Sequence, residues 1–411
     1  MNLQAPKGTR DVFGDEMKIW RHVEDIIRNL TTAYRYFEIR TPIFESTELY
    51  LRGVGDTTDI VQKEMYTFDD KGGRSMSLRP EQTAGVARAY MERGLHNQPQ
   101  PTKLFYIGPN FRYEQPQAGR FRQHYQFGVE IYGASTPATE AEVISLGWTL
   151  LKKLGINNIN LHINSIGCPD CRKEYHAALK KFIAERLDSL CGLCRQRFEK
   201  NPLRTLDCKT PTCKELLKDA PSVIDSLGEE CATHFTDLQA LLTDFGIPFT
   251  IDPRVVRGLD YYTRTVFEFI ENGLTVIGGG RYDGLLTQLG GQPTPGVGFG
   301  MGMERLVNLL INQGFTTDNT HDPKIFIGHA DEAGAKHAQK LTYTLRQAGI
   351  NAEADLLNRS VKAQMKYASK INATYTTILG ETELSTGIVQ LKNMNDGQQE
   401  SVDINDLIKY L

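Results

Sequence analysis

The sequence predicts an α/β protein of the α+β kind: an antiparallel sheet flanked by helices, with a helical insertion and a small C-terminal α/β domain. Three observations predict it. Residues 103–133 read as two strands of alternating polarity joined by a turn-rich run. Residues 166–245 turn helical and cysteine-bearing between strand-like stretches, and beyond residue 323 strands and helices alternate. A length of 411 residues suits two or three domains. The boundaries expected are a first domain over 1–320, carrying the insertion at about 166–245, and a second over 323–411. Between them, residues 313–323 have the Gly, Thr, Asn and Asp content of a linker.

Composition excludes several classes. With 40% hydrophobic and 24% charged residues the chain is an ordinary folded one, neither disordered nor collagen-like. Lys plus Arg is 47 against 50 for Asp plus Glu, so no overall polycation exists and any nucleic-acid contact must be local. Lys7, Arg10, Asp11, Asp15 and Glu16 stand where a secretory signal would carry its apolar core, and no window reaches the ~18 apolar residues of a membrane span. A cytoplasmic protein with no membrane partner is expected. The seven cysteines are odd in number and confined to Cys168 through Cys231, which argues against a disulfide framework for the whole molecule.

From Glu16 to Phe37, Ile19, Val23, Ile26, Ile27, Leu30, Ala33, Tyr34 and Phe37 recur at three- and four-residue steps and predict an amphipathic helix. Glu38 to Phe44 looks extended, but Pro42 lacks an amide donor and demotes it to an edge or interface strand, open to completion by a second subunit. In the hairpin, Asn110, Arg112 and Glu114 share one parity. So do Arg120, Arg122, His124, Gln126, Gly128 and Glu130, with Phe121, Tyr125, Phe127, Val129 and Ile131 opposite. A solvated sheet face is the plain reading of such a stripe. Arginines mixed with a glutamate and a glutamine also suit a ligand with anionic and cationic parts, and Gly128 leaves a gap where it can approach the backbone.

Arg257 to Arg264 is dense in charged and aromatic groups just before the apolar strand Thr265 to Ile270. Gly278 to Tyr282 follows the strand Leu274 to Ile277 without the Lys and Ser/Thr of a P-loop, and no GxGxxG opens a helix, so both familiar nucleotide folds lose ground. Pro295 to Leu310 reads as a strand with Gly296, Gly298, Gly300 and Gly302 at alternate positions, then a helix from near Met303. A strand face without side chains lets a flat ligand lie on the backbone, and Arg305 adds charge at a helix end that already attracts anions; tight packing of strand on helix is the alternative.

In the insertion, Cys168 and Cys171 form one CxxC pair and Cys191 and Cys194 another, with 19 residues between, followed by Cys208 and Cys213. The spacing suits tetrahedral zinc. Free cysteine is also a common core residue, so structural zinc and buried thiols both stay open and no residue is assigned to a metal. The final segment alternates strand 324–328, helix 333–347, strand 351–356, helix 361–371 and strands 375–379 and 388–391.

Taken together, these elements resemble the catalytic core of the class II aminoacyl-tRNA synthetases and, within them, the histidyl-tRNA synthetase family. Phe111-Arg112-Tyr113-Glu114 through Arg120 is similar to the second class signature, and Gly298 through Arg305 to the third. The first helix and the Pro42 strand resemble the first signature, which in the family forms a dimer interface. Arg257-Gly258-Leu259-Asp260-Tyr261-Tyr262 resembles a signature confined to the histidine enzymes and close relatives, with Gly279-Gly280-Arg281-Tyr282-Asp283-Gly284 its companion. The resemblance begins at Pro6-Lys7-Gly8-Thr9-Arg10-Asp11 and runs to the terminal domain, which resembles the anticodon-binding module of the class.

The resemblance implies activation of L-histidine by ATP to histidyl-adenylate with loss of pyrophosphate, then transfer to the 3′ end of its tRNA, by a homodimer. It implies Arg112 as α-phosphate clamp, Arg257 beside the carboxylate and α-phosphate, Arg305 and Arg120 at the outer phosphates, and Mg²⁺ bridging those phosphates. Glu81, Thr83 and Gln126 would surround the α-amino group with Gln82 adjoining, and Glu130 with Tyr262 would meet the imidazole, whose neutral ring offers one donor and one acceptor. Tyr261 and Tyr282 would complete the walls, Phe121 would stack on adenine, and Glu114 would meet its amine or the ribose. Gln115 to Gly119 matches the loop that meets the tRNA acceptor end, although some relatives carry basic residues at the positions of Gln115 and Ala118. Local Lys and Arg such as Arg359, Lys362 and Lys366 would supply the terminal domain's grip on tRNA. The family does not depend on zinc for catalysis. The competing reading is an inactive, histidine-binding regulatory paralogue; Arg112, Arg257, Arg305 and the added terminal domain favour the enzyme.

Overall fold

The computed structural model describes residues 3–55, 58, 60–115, 120–206, 208, 210–257, 259, 261–317 and 322–411. Its strands in chain order are β1 (Phe37–Glu38), β2 (Phe44–Ser46), β3 (Thr67–Asp69), β4 (Ser75–Leu78), β5 (Thr102–Phe111), β6 (Gln123–Tyr132), β7 (Asn160–Ser165), β8 (Phe249–Ile251), β9 (Thr263–Glu271), β10 (Leu274–Arg281), β11 (Gly296–Gly302), β12 (Ile325–His329), β13 (Ala352–Ala354), β14 (Tyr375–Leu379), β15 (Ile388–Asn393) and β16 (Gln399–Asp403). The chain divides into two compact units, residues 1–316 and 317–411.

The first unit is built on an eight-stranded sheet in the order β1-β5-β6-β11-β10-β9-β7-β8. Neighbours from β5 through β7 are antiparallel, and β1 and β8 close the two edges in parallel. Alternation sorts the two faces of this sheet, because successive side chains of a strand point to opposite sides. Phe127, Val129 and Ile131 of β6 and Val297, Phe299 and Met301 of β11 enter one apolar core. Gln126, Gly128 and Glu130, with Gly298 and Gly300, are left on the other face. The core is covered by the helices Gly14–Ala33, Pro137–Lys153, Glu229–Asp244 and Met303–Asn312. The first of them buries Ile19, Trp20, Val23, Ile27 and Leu30, each contributing about 1.5–3 kcal/mol relative to exposure.

The first helix ends at Ala33, short of the Phe37 expected from periodicity. Arg35 takes a left-handed backbone (φ 61°), which breaks the helix and swings Tyr36 into the core. The extended run expected at residues 38–44 is split into β1 and β2. Between them the Arg79 guanidinium takes the carbonyls of Thr41 (2.9 Å) and Pro42 (3.3 Å), in place of a strand partner. The hairpin β5–β6 keeps the register Tyr106↔Gly128 and Leu104↔Glu130. Gly278 to Arg281, read as following a strand, lie within β10. The helix Glu229–Asp244 places Phe235, Leu238 and Leu242 in the main core, so the part of the insertion with a core of its own is shorter than 166–245. That core runs from Tyr175 to Val223 and includes Cys194, Cys208 and Cys213.

The second unit is a five-stranded mixed sheet, β13-β12-β14-β15-β16. Its first three strands are parallel and its last two antiparallel. Helices Glu332–Gln347 and Val361–Lys370 pack on it. Strand β16 and the short helix Glu381–Thr386 are not legible in the sequence pattern.

Candidate active site

Two adjoining cavities open on the sheet face opposite the four helices that cover the main core. The inner one has a volume of about 80 Å³ and is lined by Glu81, Thr83, Tyr106, Gln126, Glu130, Tyr261, Tyr262 and Tyr282. Glu130 stands at its floor, buried, with Oε1 accepting from the hydroxyls of Thr83 (2.7 Å) and Tyr106 (3.2 Å) and Oε2 from that of Tyr282. Burial pushes its carboxyl up to about 8 despite the donors from Tyr282 and Thr83, and the nearby Glu81 adds to the rise. Thr83 opens the helix Thr83–Glu92, and Glu81 holds that helix end by accepting from the backbone N–H groups of Thr83 (2.8 Å) and Ala84 (2.9 Å). Burial raises the Glu81 carboxyl too. Tyr261, Tyr262 and Tyr282 pack ring against ring at centroid separations of 4.7, 5.5 and 6.3 Å.

The register of β11 on β6 makes this space. Gly298 lies opposite Glu130 and Gly300 opposite Gly128. A Cβ on Gly298 would collide with the Glu130 carboxylate and one on Gly300 with the Gln126 amide. Gln126 is held from behind by Asn110, whose Nδ2 donates to Oε1 at 2.9 Å.

The outer cavity, about 590 Å³, is lined among others by Arg112, Glu114, Arg120, Phe121, His124, Arg257 and Arg305. Its guanidinium groups are fixed by the backbone and by acids. Arg112 Nε donates to the Pro80 carbonyl (2.8 Å), Arg305 to that of Thr275 (2.9 Å), and Arg257 pairs with Glu268. Glu114 lies 3.4 Å from Arg120 and 3.9 Å from Arg112. Burial, and then the charge of Arg120 with those of Arg112 and Arg257, holds Arg305 below its ordinary value; Glu114 opposes this. For Arg257, burial disfavours the charge, but Glu268 more than offsets it and the group stays above its ordinary value. Its Nε is buried with no hydrogen-bond partner among the described residues. Clustered, desolvated cations with an unsatisfied donor form a seat for a polyanion.

Arg112, Gln126, Arg257, Gly278 and Gly300 line both cavities. A ligand with an acid group in the inner cavity therefore meets a polyanion in the outer one between Arg112 and Arg257. That arrangement suits attack of a carboxylate on a phosphorus atom, with cations placed where negative charge accumulates.

Similarity to known proteins agrees with this geometry. A family model for histidyl-tRNA synthetase matches residues 8–306, and one for an anticodon binding domain matches residues 324–411. A histidine–tRNA ligase of Clostridium novyi is 51% identical over 407 residues, covering 99% of this chain and 98% of that protein. One from Caldanaerobacter subterraneus subsp. tengcongensis is 50% identical over the full length of both. The crystal structure of an apo S. aureus histidyl-tRNA synthetase superposes with a TM-score of 0.85 at 39% identity, over 100% of this chain and 99% of that one. The chain belongs to the histidyl-tRNA synthetase family. Membership makes it an aminoacyl-tRNA synthetase that ligates histidine to tRNA, and nothing favours the regulatory alternative. Synthetases of this family use ATP as substrate and, in general, Mg²⁺.

Within this synthetase, most residues singled out from the sequence converge on the two cavities. Gln82 does not: its amide donates to the Gly108 carbonyl (3.2 Å), behind the wall of both. The phenols bonded to Glu130 are those of Tyr106 and Tyr282, while Tyr262 lines the same cavity. Arg281, from the companion motif, is fully buried elsewhere, bonded to Glu140 (2.7 Å from Nε), Asp283 (3.0 Å) and the Ala134 carbonyl (3.2 Å), and His234 shares Glu140 at 2.6 Å. It is a structural charge pair.

Sequence reasoning misses Tyr106, and it gives His124 no role beyond membership of the stripe. Burial, then Arg112 and Arg305, push that imidazole down to about 3, so it is neutral in the outer cavity. Pro116 to Gly119 of the acceptor-end loop, and Gly258 and Asp260 of the histidine signature, lie outside the described residues. The two CxxC pairs do not form one cluster. Cys191 and Cys194 join Cys208 and Cys213, whereas Cys168 and Cys171 join Cys231. In the second unit Lys362 and Lys366 are exposed on one helix, but Arg359 is bound to Asp355 (2.5 Å) and lies over the Tyr367 ring. No described helix is long and apolar enough to cross a membrane.

Proposed function

We propose that the inner cavity binds L-histidine and the outer cavity ATP, so that the histidine carboxylate attacks the α-phosphorus on the wall the two share. The Pα–O bond to the leaving pyrophosphate breaks, and Arg112 and Arg257 neutralise the charge gathering on the α-phosphate oxygens. Arg305 and Arg120 take the outer phosphates, and Phe121, with the Arg10 guanidinium 5.0 Å from its ring centroid, stacks on adenine, whose amine or ribose Glu114 meets. The terminal ribose hydroxyl of tRNA-His then attacks the carbonyl carbon of the adenylate, and AMP leaves. Glu81, Thr83 and Gln126 receive the α-amino group, and Glu130 with Tyr262 reads the imidazole between the walls of Tyr261 and Tyr282. A site built to hydrogen-bond both ring nitrogens rejects apolar isosteres, whose binding leaves buried polar groups unpaired.

Mg²⁺ needs few protein ligands and would enter the outer cavity on the ATP phosphates, so no carboxylate of this chain is assigned to it. When bound, it supplies charge for the leaving pyrophosphate. The edge strand β1 and the exposed Phe37, Ile43 and Phe44 support a homodimer joined there. The exposed Lys362 and Lys366 support a tRNA-binding face on the second unit. We place the enzyme in the cytoplasm, where its tRNA is found.

One observation carries this reading: the same two arginines border both cavities. Pyrophosphate exchange tests it. Exchange is expected with histidine alone among the twenty amino acids. Arg257→Ala is expected to lower kcat roughly 10²–10³-fold, as loss of one preorganised donor does, while changing histidine KM far less. Equal losses in both constants would overturn the assignment.

A further inference from the structure

Cys191, Cys194, Cys208 and Cys213 come from three separate stretches of the insertion and bring their sulfur atoms within 4.8 Å of one another. Cys191 caps and Cys194 enters the helix Gly192–Lys200, Cys208 follows a single 3₁₀ turn, and Cys213 sits in the helix Pro211–Leu216. The Sγ atoms of Cys191 and Cys208 are 3.8 Å apart. That is far beyond a disulfide bond, and it equals the edge of a tetrahedron whose corners stand about 2.3 Å from its centre, the zinc–thiolate distance. The order in sequence is CxxC followed by Cx₄C, the paired-knuckle spacing of tetrathiolate zinc sites. The backbone N–H of Cys191 points at the Cys213 sulfur at 3.3 Å, the kind of outer hydrogen bond that supports a thiolate ligand.

We propose that these four cysteines bind one Zn²⁺ in a closed tetrahedral site that holds the insertion together. The surrounding structure needs such a link. The described residues of 187–217 form one nine-residue helix, one of six residues and two 3₁₀ turns, all too short to persist alone. Three of the ten buried residues of their core are the cysteines Cys194, Cys208 and Cys213, which bury less apolar area than leucine would. A metal replaces the missing core, as in small zinc-bound modules. Four thiolates around Zn²⁺ carry two net negative charges, and Arg197 and Arg204 share a wall with the cluster. That wall also lines the outer cavity through Cys191, Leu193, Arg197 and Cys208. The ion therefore braces one side of the space assigned above to ATP. Among the described residues Cys168, Cys171 and Cys231 form a three-thiol group, one ligand short of a closed site.

The test is metal analysis of the purified full-length enzyme. About one zinc per chain is expected, exchangeable for Co²⁺ with the ligand-field and charge-transfer absorption of a tetrahedral tetrathiolate. Cys208→Ser and Cys213→Ser should each lower zinc content roughly tenfold, and Cys168→Ser should leave it unchanged. If the serine variants do not fold, the cobalt spectrum of the unaltered chain still decides. Absence of zinc with all seven thiols free, a cobalt spectrum with fewer than four sulfur ligands, iron in place of zinc, or metal lost with Cys168→Ser and kept with Cys208→Ser would each overturn the proposal.

Discussion

Glu130 accepts three hydroxyl protons and still titrates near 8, because its removal from water outweighs the donors. The raised value has a consequence for stability with a definite sign. Between the ordinary value of 4.5 and about 8 the native state keeps a proton that the unfolded chain releases, so stability falls as pH rises through that window. At about 1.4 kcal/mol for each pH unit crossed, the cost is roughly 1 kcal/mol at pH 5 and roughly 4 kcal/mol at pH 8. Glu130→Gln removes the titration while keeping the shape. Relative to the unaltered protein, the variant should therefore gain about 3 kcal/mol between pH 5 and pH 8, read from denaturant unfolding of the catalytic unit without ligand. A pH-independent difference would mean that Glu130 is ionised in the free enzyme.

At the scale of elements, the site depends on β11 being bare where it crosses β6. Gly300 separates two effects that Gly298 confounds. A Cβ on Gly298 would strike both the Glu130 carboxylate and the Val129 backbone carbonyl, whereas one on Gly300 would strike only the Gln126 side chain. Gly300→Ala should therefore change stability by no more than about 1 kcal/mol. By displacing Gln126 it should lower kcat/KM for histidine roughly 10- to 100-fold. Unchanged kcat/KM would remove Gln126 from the site, and collapse of the fold would show that β11 cannot move. This bare strand is legible in the sequence, since alternate glycines and the parity of Gln126, Gly128 and Glu130 are local patterns. The bond from Thr83 to Glu130 joins residues 47 apart, and no local pattern reveals it. Arg281 belongs to a motif whose neighbour Tyr282 lines the site, yet the alternation of β10 turns its charge to Glu140 on the opposite face. The grouping of the cysteines is hidden from the sequence for the same reason: spacing proposes pairs, but the fold chooses which pairs meet.

For the whole molecule, the two units carry separate cores. Ile325, Ile327, Leu345, Leu379 and Val389 form one within the second unit, while the cavities are lined wholly by residues of the first. On the proposed assignment adenylate formation needs only the cavities, whereas selection of tRNA would draw on the unit matched by the anticodon-binding model. A chain ended at Thr316 should thus keep histidine-dependent pyrophosphate exchange within about threefold and lose roughly a hundredfold in kcat/KM for tRNA charging, since local phosphate and base contacts supply that affinity. The same contacts should make charging by the full chain fall steeply with salt, because counterions compete for the phosphates. Exchange should fall less, its arginines being half-buried and therefore less screened than exposed lysines. Loss of exchange in a truncated chain that remains folded would show that the second unit helps to build the active site. Retention of charging would remove tRNA binding from that unit.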